Sequence, residues 1–412
     1  MTGQLTLYHH QRKLVDLAPD KWLLAWGTGS GKSLAAITIC KNKGGDTLVV
    51  CPKSLVNKWK DDCNFDVLSK EQFKKQAPNL PYYNNFILDE FHYFSNHKSQ
   101  LTKSLLNYIK NHNPQNIYGL TATPYLSSTW NLYTYGLIFG RNWNWYKWKT
   151  TYFFEIIMGY RVIGNKKIPI KIPKAKQVIN GLPLDKEVAR LVNCFGNTVS
   201  LEDCFDVPEQ IFLTEKFELT KEQKKAIDEN FDPLPIVNFS KESQISGGTL
   251  KGDAYIEDQF FKSEKMDRCL DIIQEHKKVI VVCHYNNEID VLASKVKNKK
   301  VFIIRGDVKD RHSVVQEAEA CDNCVLFAQS ACSEGWEIPS FPIMVFYSYD
   351  FSLKNYVQMM GRIQRAGHIK KNVYISLVTE KTVDEDIWNT VVNKKMDFQT
   401  SIYEKNRGTT NN

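Results

Sequence analysis

At 412 residues the chain is long for one core, and roughly two or three domains, each able to bury most of its apolar surface, are expected. With 42% hydrophobic and 24% charged residues it reads as soluble and intracellular: no uncharged apolar run nears the roughly 18 residues of a membrane helix, and MTGQLTLYHHQRK lacks the apolar stretch and cleavage site of a signal peptide. The net charge is +8, and the window from Arg141 to Asn180 carries all of that excess, with nine basic residues against the single acid Glu155.

In chain order, WLLAW, TLVV, FIL and IYGLT are short apolar runs with helical patterns between them, and VIVVC, VFII, VLFA, IMVFY and VYISLV repeat the arrangement later. Such alternation predicts parallel sheets covered by helices, so two α/β lobes are expected, at residues 1–140 and 263–385. SQLTKSLLNYIKNH spaces Leu101, Leu105 and Ile109 by four, as a helix packed on such a sheet requires. Between the lobes, residues 141–262 read as a helical and irregular connector. It holds Trp143, Trp145, Trp148, Tyr146 and Tyr152 among its basic residues, the segment KKIPIKIPKAK, and the helix-like TKEQKKAIDEN with Thr220 as N-cap. Lysines interleaved with aromatics suit a phosphate backbone and stacked bases, with Lys166, Lys167, Lys171 and Lys174 as candidates; a solvated loop over a Trp-lined local core is the alternative. Residues 386–412 read as a C-terminal helix and a polar tail, EKNRGTTNN, expected to be disordered. The ten cysteines read as reduced, packed thiols; CDNC, at Cys321 and Cys324, has no second pair at a suitable distance, and no zinc site is expected.

The stretch WLLAWGTGSGKSLAAITIC is a strand, a glycine-rich turn and a helix, in that order. Gly27, Gly29 and Gly31 let backbone N–H groups, with those of Thr28 and Ser30, wrap phosphate oxygens at a helix N-terminus. Lys32 would reach the β- and γ-phosphates and the Ser33 hydroxyl would ligate Mg²⁺. The usual first residue of this loop is Gly or Ala, and here it is Trp26. Asp89 and Glu90 end the apolar run FIL, where two adjacent carboxylates repel unless a cation or a reaction uses them. Phosphate-loop folds place an acid at the end of a second strand, which makes Asp89 the magnesium-holding acid and Glu90 the residue that orients and deprotonates the attacking water.

Together these segments resemble a superfamily 2 helicase or translocase of the DExH type. TLVVCPKSLVNKW resembles the family's motif Ia, ILDEFH its motif II, LTATP its motif III and QMMGRIQRAG its motif VI, while LYHHQ is similar to the segment whose glutamine, here Gln11, reads adenine. CPKSLVNKW, LDEFHYFSNHKSQLTKSL, FKSEKMDRCLDII and NVYISLVTEKTVDEDIW look like their counterparts in Swi/Snf-type double-stranded DNA translocases. Gly361-Arg362 departs from that subgroup, and the size is similar to compact phage-type motors on branched DNA.

The resemblance implies two RecA-like lobes that use ATP and Mg²⁺, with DNA as partner and a monomeric chain. It makes Arg362 and Arg365 fingers on the γ-phosphate, positioned by Gln358 and Gly361. Thr121 and Thr123 would hydrogen-bond toward Asp89 and His92, relaying nucleotide state. Lys53 and Ser54 stand at a strand end before a helix, a good phosphate site. Motifs IV and V imply backbone contacts from His284, Tyr285 and Ser330, and nucleotide-linked hinging at Gly335. An ATP-driven DNA motor, either helicase or duplex translocase, is the leading expectation. An RNA helicase and a nucleotide-sensing DNA clamp that does not cycle are the rivals, although a clamp predicts loss of Glu90 or the arginines, and all are present.

Overall fold

The computed structural model describes residues 7–125, 129–163, 166–201, 203–204, 209–232, 234–252, 257–364 and 371–396. The polar tail therefore lies outside the described residues, as does Arg365. Two compact units divide the chain, the first ending at Cys204 and the second beginning at Phe205.

The first unit is built on a six-stranded sheet. Its strands are β1 (Lys21–Trp26), β2 (Thr47–Cys51), β3 (Asp66–Ser69), β4 (Asn85–Leu88), β5 (Asn116–Leu120) and β10 (Gly196–Val199), in the order β10-β1-β5-β4-β2-β3. Every pairing is parallel. Successive side chains point to opposite faces, so Leu23, Leu48, Val50, Phe86 and Leu88 join one buried cluster and Leu24, Val49, Ile87 and Leu120 another. Burial on both faces, worth about 1.5–3 kcal/mol for each large aliphatic side chain, is why these strands are continuous apolar runs.

The second unit repeats the plan with β11 (Gln210–Phe217), β14 (Lys278–Cys283), β15 (Lys300–Ile304), β16 (Cys324–Gln329), β17 (Ile343–Phe346) and β18 (Asn372–Thr379). The order is β11-β18-β17-β14-β16-β15, again parallel throughout. The charged pair Lys265 and Asp384, 2.7 Å apart and both 1% exposed, ties helix Glu264–Glu275 to helix Val383–Trp388. Asp384 also accepts the Thr379 N–H, which gives the buried carboxylate a second donor. The two α/β lobes expected from the sequence are thus present.

The stretch read as a connector holds more regular structure than the sequence indicates. β10 completes the first sheet and β11 the second, so both sheets reach into residues 141–262. A Cβ on Gly196 would lie 2.4 Å from the Leu23 carbonyl oxygen, so β10 packs beside β1 only with glycine there. The basic segment is a hairpin of β6 (Phe153–Ile163) and β7 (Lys166–Ala175), with a register shift between Ile157 and Gly159. Two minor strand pairs, β8 (Val178–Ile179) with β9 (Leu182–Pro183) and β12 (Thr249–Leu250) with β13 (Gln259–Phe260), complete the described strands. Thr220 does cap a helix, Lys221–Glu229, by accepting the Gln223 N–H, and Leu105 is buried on helix Gln100–His112, with Leu101 and Ile109 packed beside it. Trp148 is buried, Trp143 and Trp145 pack against the same core, and Tyr146 stands exposed. All ten cysteines are free.

Candidate functional site

In both sheets the singled-out residues gather where strands end. Parallel sheets leave a crevice outside the carboxyl ends of their strands, and loops there present backbone N–H groups and side chains to a ligand. Gly27 follows β1, Lys53 follows β2, Asp89 follows β4 and Thr121 follows β5.

The loop after β1 is the stretch expected from the sequence to cradle phosphate. Gly29 and Gly31 have φ of 82° and 77°, a left-handed backbone that a side chain would strain, and Gly31 caps helix Lys32–Lys43. A Cβ on Gly31 would meet Gln11 Nε2 at 2.1 Å. Gln11, almost fully buried, donates from Nε2 to the Gly31 carbonyl at 3.2 Å and accepts the Tyr8 N–H at 2.9 Å, so the N-terminal helix His9–Leu17 clamps the loop. His10 Nε2 lies 2.8 Å from the Ser30 carbonyl oxygen and adds a second tie. Lys32 Nζ donates to the carbonyls of Trp26 and Gly27 at 2.8 and 2.9 Å, and Ser30 Oγ donates to Gly27 at 2.8 Å.

Trp26, the departure from the usual motif, is accounted for by its surroundings. Its ring is buried, and Nε1 donates to Asn197 Oδ1 at 3.1 Å, the same oxygen that accepts from Trp22. The Gly27 N–H donates to the Val199 carbonyl at 2.7 Å, so β10 sets where the loop begins. Nothing in the sequence flags Asn197, because GNTV is short and has few apolar residues.

The two carboxylates after β4 have different partners. Asp89, half-buried, accepts Trp59 Nε1 at 2.8 Å on one oxygen and the Glu90 N–H at 2.9 Å on the other. Burial, then the charge of Glu90, pushes its carboxyl up to about 6, against those hydrogen bonds and the ammonium of Lys32. Two adjacent half-buried carboxylates, with the Lys32 ammonium as the nearby positive charge, fit a divalent cation. Glu90 takes a left-handed φ of 48° and lies 3.2 Å from Nδ1 of the buried His92. Such a backbone costs on the order of 1–3 kcal/mol in a non-glycine residue and is found where a side chain must be aimed. Thr121 and Thr123 are both buried, and Thr121 Oγ accepts the Thr123 N–H at 3.1 Å; among the described residues they bond to each other rather than to Asp89 or His92. Lys53 and Ser54 are exposed on a short 3₁₀ turn after β2.

In the second unit His284 follows β14, and Ser330 follows β16. His284 Nδ1 lies 3.3 Å from Ser330 Oγ, which donates to Asp350 at 3.1 Å; burial lowers the His284 pKa, and Asp350 offsets part of that. Tyr285 caps helix Asn286–Lys295, and Gly335 has a φ of 86°. Gln358, on helix Leu353–Met360, accepts Ser333 Oγ at 2.9 Å. Arg362 is buried, donates from Nε to the Gln358 carbonyl at 3.0 Å and from Nη1 to the Trp336 carbonyl, and its guanidinium lies 5.9 Å from the Trp336 ring centre. On the hairpin, Lys167, Lys171 and Lys174 are exposed, and the Lys166 side chain lies outside the described residues.

Sequence reasoning did not single out Trp59, Asn197, Asp350 or Asn355. Trp59 was within reach, since it ends the quoted segment CPKSLVNKW.

Residues 264–367 match the model of the helicase conserved C-terminal domain. The SWI/SNF-related matrix-associated actin-dependent regulator of chromatin subfamily A-like protein 1 of Drosophila melanogaster is 27% identical over 131 residues, 30% of this chain and 17% of that protein. DEAD-box ATP-dependent RNA helicase 40 of Arabidopsis thaliana is 27% identical over 112 residues, 26% of this chain and 10% of that protein. The matches thus span well under two thirds of either relative. Among solved structures, the Hef helicase domain of Pyrococcus furiosus is similar in fold, with a TM-score of 0.54 and 14% identity over 93% of this chain and 97% of that one.

Proposed function

We propose that this chain is a superfamily 2 ATP-driven motor moving on, or remodelling, duplex or branched DNA, a reading supported by the helicase C-terminal match of residues 264–367 and by the partial likeness to the fly relative. The observation that carries this reading is the pairing of two arrangements at the strand ends of the first unit. One is a glycine loop clamped by Gln11 with Lys32 at its helix N-terminus; the other is a pair of adjacent, half-buried carboxylates, of which Asp89 feels the Lys32 charge.

In this reading the N–H groups of residues 28–33 bind the triphosphate, the Gly27 N–H being held by the Val199 carbonyl, and Lys32 leaves the carbonyls of Trp26 and Gly27 for the β- and γ-phosphates. Asp89 and the Ser33 hydroxyl would hold Mg²⁺, whose charge would offset that of the phosphate oxygens. Glu90 takes a proton from the water that attacks the γ-phosphorus, and the bond to the β-phosphate oxygen breaks, giving ADP and phosphate. Arg362 spends its guanidinium on the carbonyls of Gln358 and Trp336, so we assign it the holding of motif VI and give charge neutralisation at the γ-phosphate to Arg365. Lys53, Ser54, His284, Tyr285 and Ser330 contact the nucleic-acid backbone, and the exposed hairpin lysines extend that surface.

DNA is favoured by the Swi/Snf-like segments and by the fly relative; RNA is the second reading, because another relative is named an RNA helicase. ATP hydrolysis measured at fixed salt with single-stranded, duplex and branched DNA, and with RNA, separates them. Stimulation is expected to be greatest with duplex or branched DNA and to vanish in Glu90→Gln. Greater stimulation by RNA selects the second reading, and an unstimulated enzyme rejects both.

A further inference from the structure

Asp350 was not among the residues picked out by the sequence, yet its carboxylate collects three donors, one from the end of β16 and two from the start of a helix. Oδ2 accepts Ser330 Oγ at 3.1 Å and Asn355 Nδ2 at 2.6 Å, and Oδ1 accepts the Ser352 N–H at 2.9 Å. Ser330 is in contact with His284 Nδ1 at 3.3 Å. Ser352 is the N-cap of helix Leu353–Met360 and Asn355 sits in its first turn, so Asp350 fixes where that helix starts and how it is rotated. Charge-assisted bonds to an ionised acceptor are roughly twice as strong as neutral ones, which makes this a firm polar anchor at the start of the helix.

One turn further along, the same helix presents Gln358, which accepts Ser333 Oγ at 2.9 Å; Ser333 also lies 3.4 Å from Asn355 Oδ1. The Gln358 carbonyl then receives Arg362 Nε. The contacts therefore run from His284 and Ser330 at the ends of β14 and β16, through Asp350 and Asn355, to Gln358 and Arg362. A helix is rigid over two turns, so a shift at its N-cap is felt at its C-terminus.

We propose that Asp350 and Asn355 are positioning residues that couple nucleic-acid contact at His284 and Ser330 to the placement of the Gln358–Arg362 segment. The proposal rests on the motor reading above and gives it a regulatory element: nucleic acid that engages His284 and Ser330 tightens the anchor of the helix, and the motif VI segment is set for hydrolysis. Neither Asp350 nor Asn355 is required to touch ATP or nucleic acid.

The test uses Asp350→Asn, Asn355→Ala, and the exchanged pair Asp350→Asn with Asn355→Asp. Asp350→Asn keeps the volume but turns an acceptor toward the Asn355 amide into a donor. The exchanged pair restores that bond with donor and acceptor reversed, and leaves an amide oxygen for the Ser352 N–H and an amide hydrogen for Ser330 Oγ. ATP hydrolysis is measured with and without whichever of duplex DNA, forked DNA or RNA stimulates the wild type most, together with the Kd for that nucleic acid and the melting temperature. Either single change is expected to lower the stimulation about fivefold or more while Kd and melting temperature stay close to wild type, and the exchanged pair to recover most of it. Stimulation retained in both single variants overturns the coupling, as does an exchanged pair no better than the product of its single changes. A wild type that no nucleic acid stimulates overturns the motor reading instead, and this proposal with it.

Discussion

Glu288 is a fully buried carboxyl whose environment makes a measurable claim. Ser348 Oγ donates to its Oε2 at 2.5 Å and the Tyr285 N–H at 3.2 Å, which steadies the turn that carries His284. Burial pushes its pKa up to about 7; the Ser348 bond, the Lys265 charge and the Tyr285 N–H draw it down and Asp384 raises it, while the neighbouring Cys283 and Tyr347 are themselves neutral, their pKa values raised by burial. The folded pKa lies above the 4.5 of an ordinary glutamate, so the folded state prefers the protonated form. Its contribution is present in full below about 4.5 and is lost as pH rises through 7, a change on the order of 3 kcal/mol. Urea unfolding of wild type and Glu288→Gln from pH 4.5 to 8 checks this: the variant is expected to gain on the wild type by that amount as pH rises. A difference that stays constant with pH would contradict it. The same residue scale explains Trp26, whose indole is held by Asn197 rather than left to distort the phosphate loop.

At the scale of elements, the strands were legible wherever both faces are buried, because Leu23 to Trp26, Thr47 to Cys51 and Lys278 to Cys283 need apolar residues at nearly every position. β10 and β11 escaped for the opposite reason. Both lie at sheet edges, where GNTV and QIFLTEKF are only partly covered and carry polar residues. The hairpin was hidden by its prolines, Pro169 and Pro173, which a lone ribbon tolerates because half its N–H groups have no strand to bond. Lys167, Lys171 and Lys174 stand exposed along it, with Lys171 3.1 Å from Glu155. Neutralising these three together with Lys166 is expected to weaken duplex binding tenfold or more at moderate salt and to flatten its salt dependence by up to about four phosphate contacts. An unchanged salt slope, measured by fluorescence anisotropy, would assign the ribbon to plain solvent exposure.

Across the whole molecule, the candidate site was legible where the chemistry is local in sequence. The glycine loop, Lys32, Ser33, Asp89 and Glu90 follow from short motifs whose backbone geometry is set within a few residues. What escaped is the support that comes from afar: Trp59 reaches Asp89 across 30 positions, Asn197 reaches Trp26 across 171, and Asp350 reaches Ser330 across 20. No periodicity or spacing encodes such pairs, since they arise only once parallel strands bring distant turns to the same edge of a sheet. The central proposal is that ATP hydrolysis by this chain depends on Lys32, Glu90 and Arg365 alike. The most direct measurement is the nucleic-acid-stimulated turnover of Arg365→Ala at saturating ATP, with nucleotide affinity followed in parallel. The account predicts a fall of roughly 10³-fold or more in turnover, with nucleotide binding largely retained. Turnover within a few fold of wild type would contradict it.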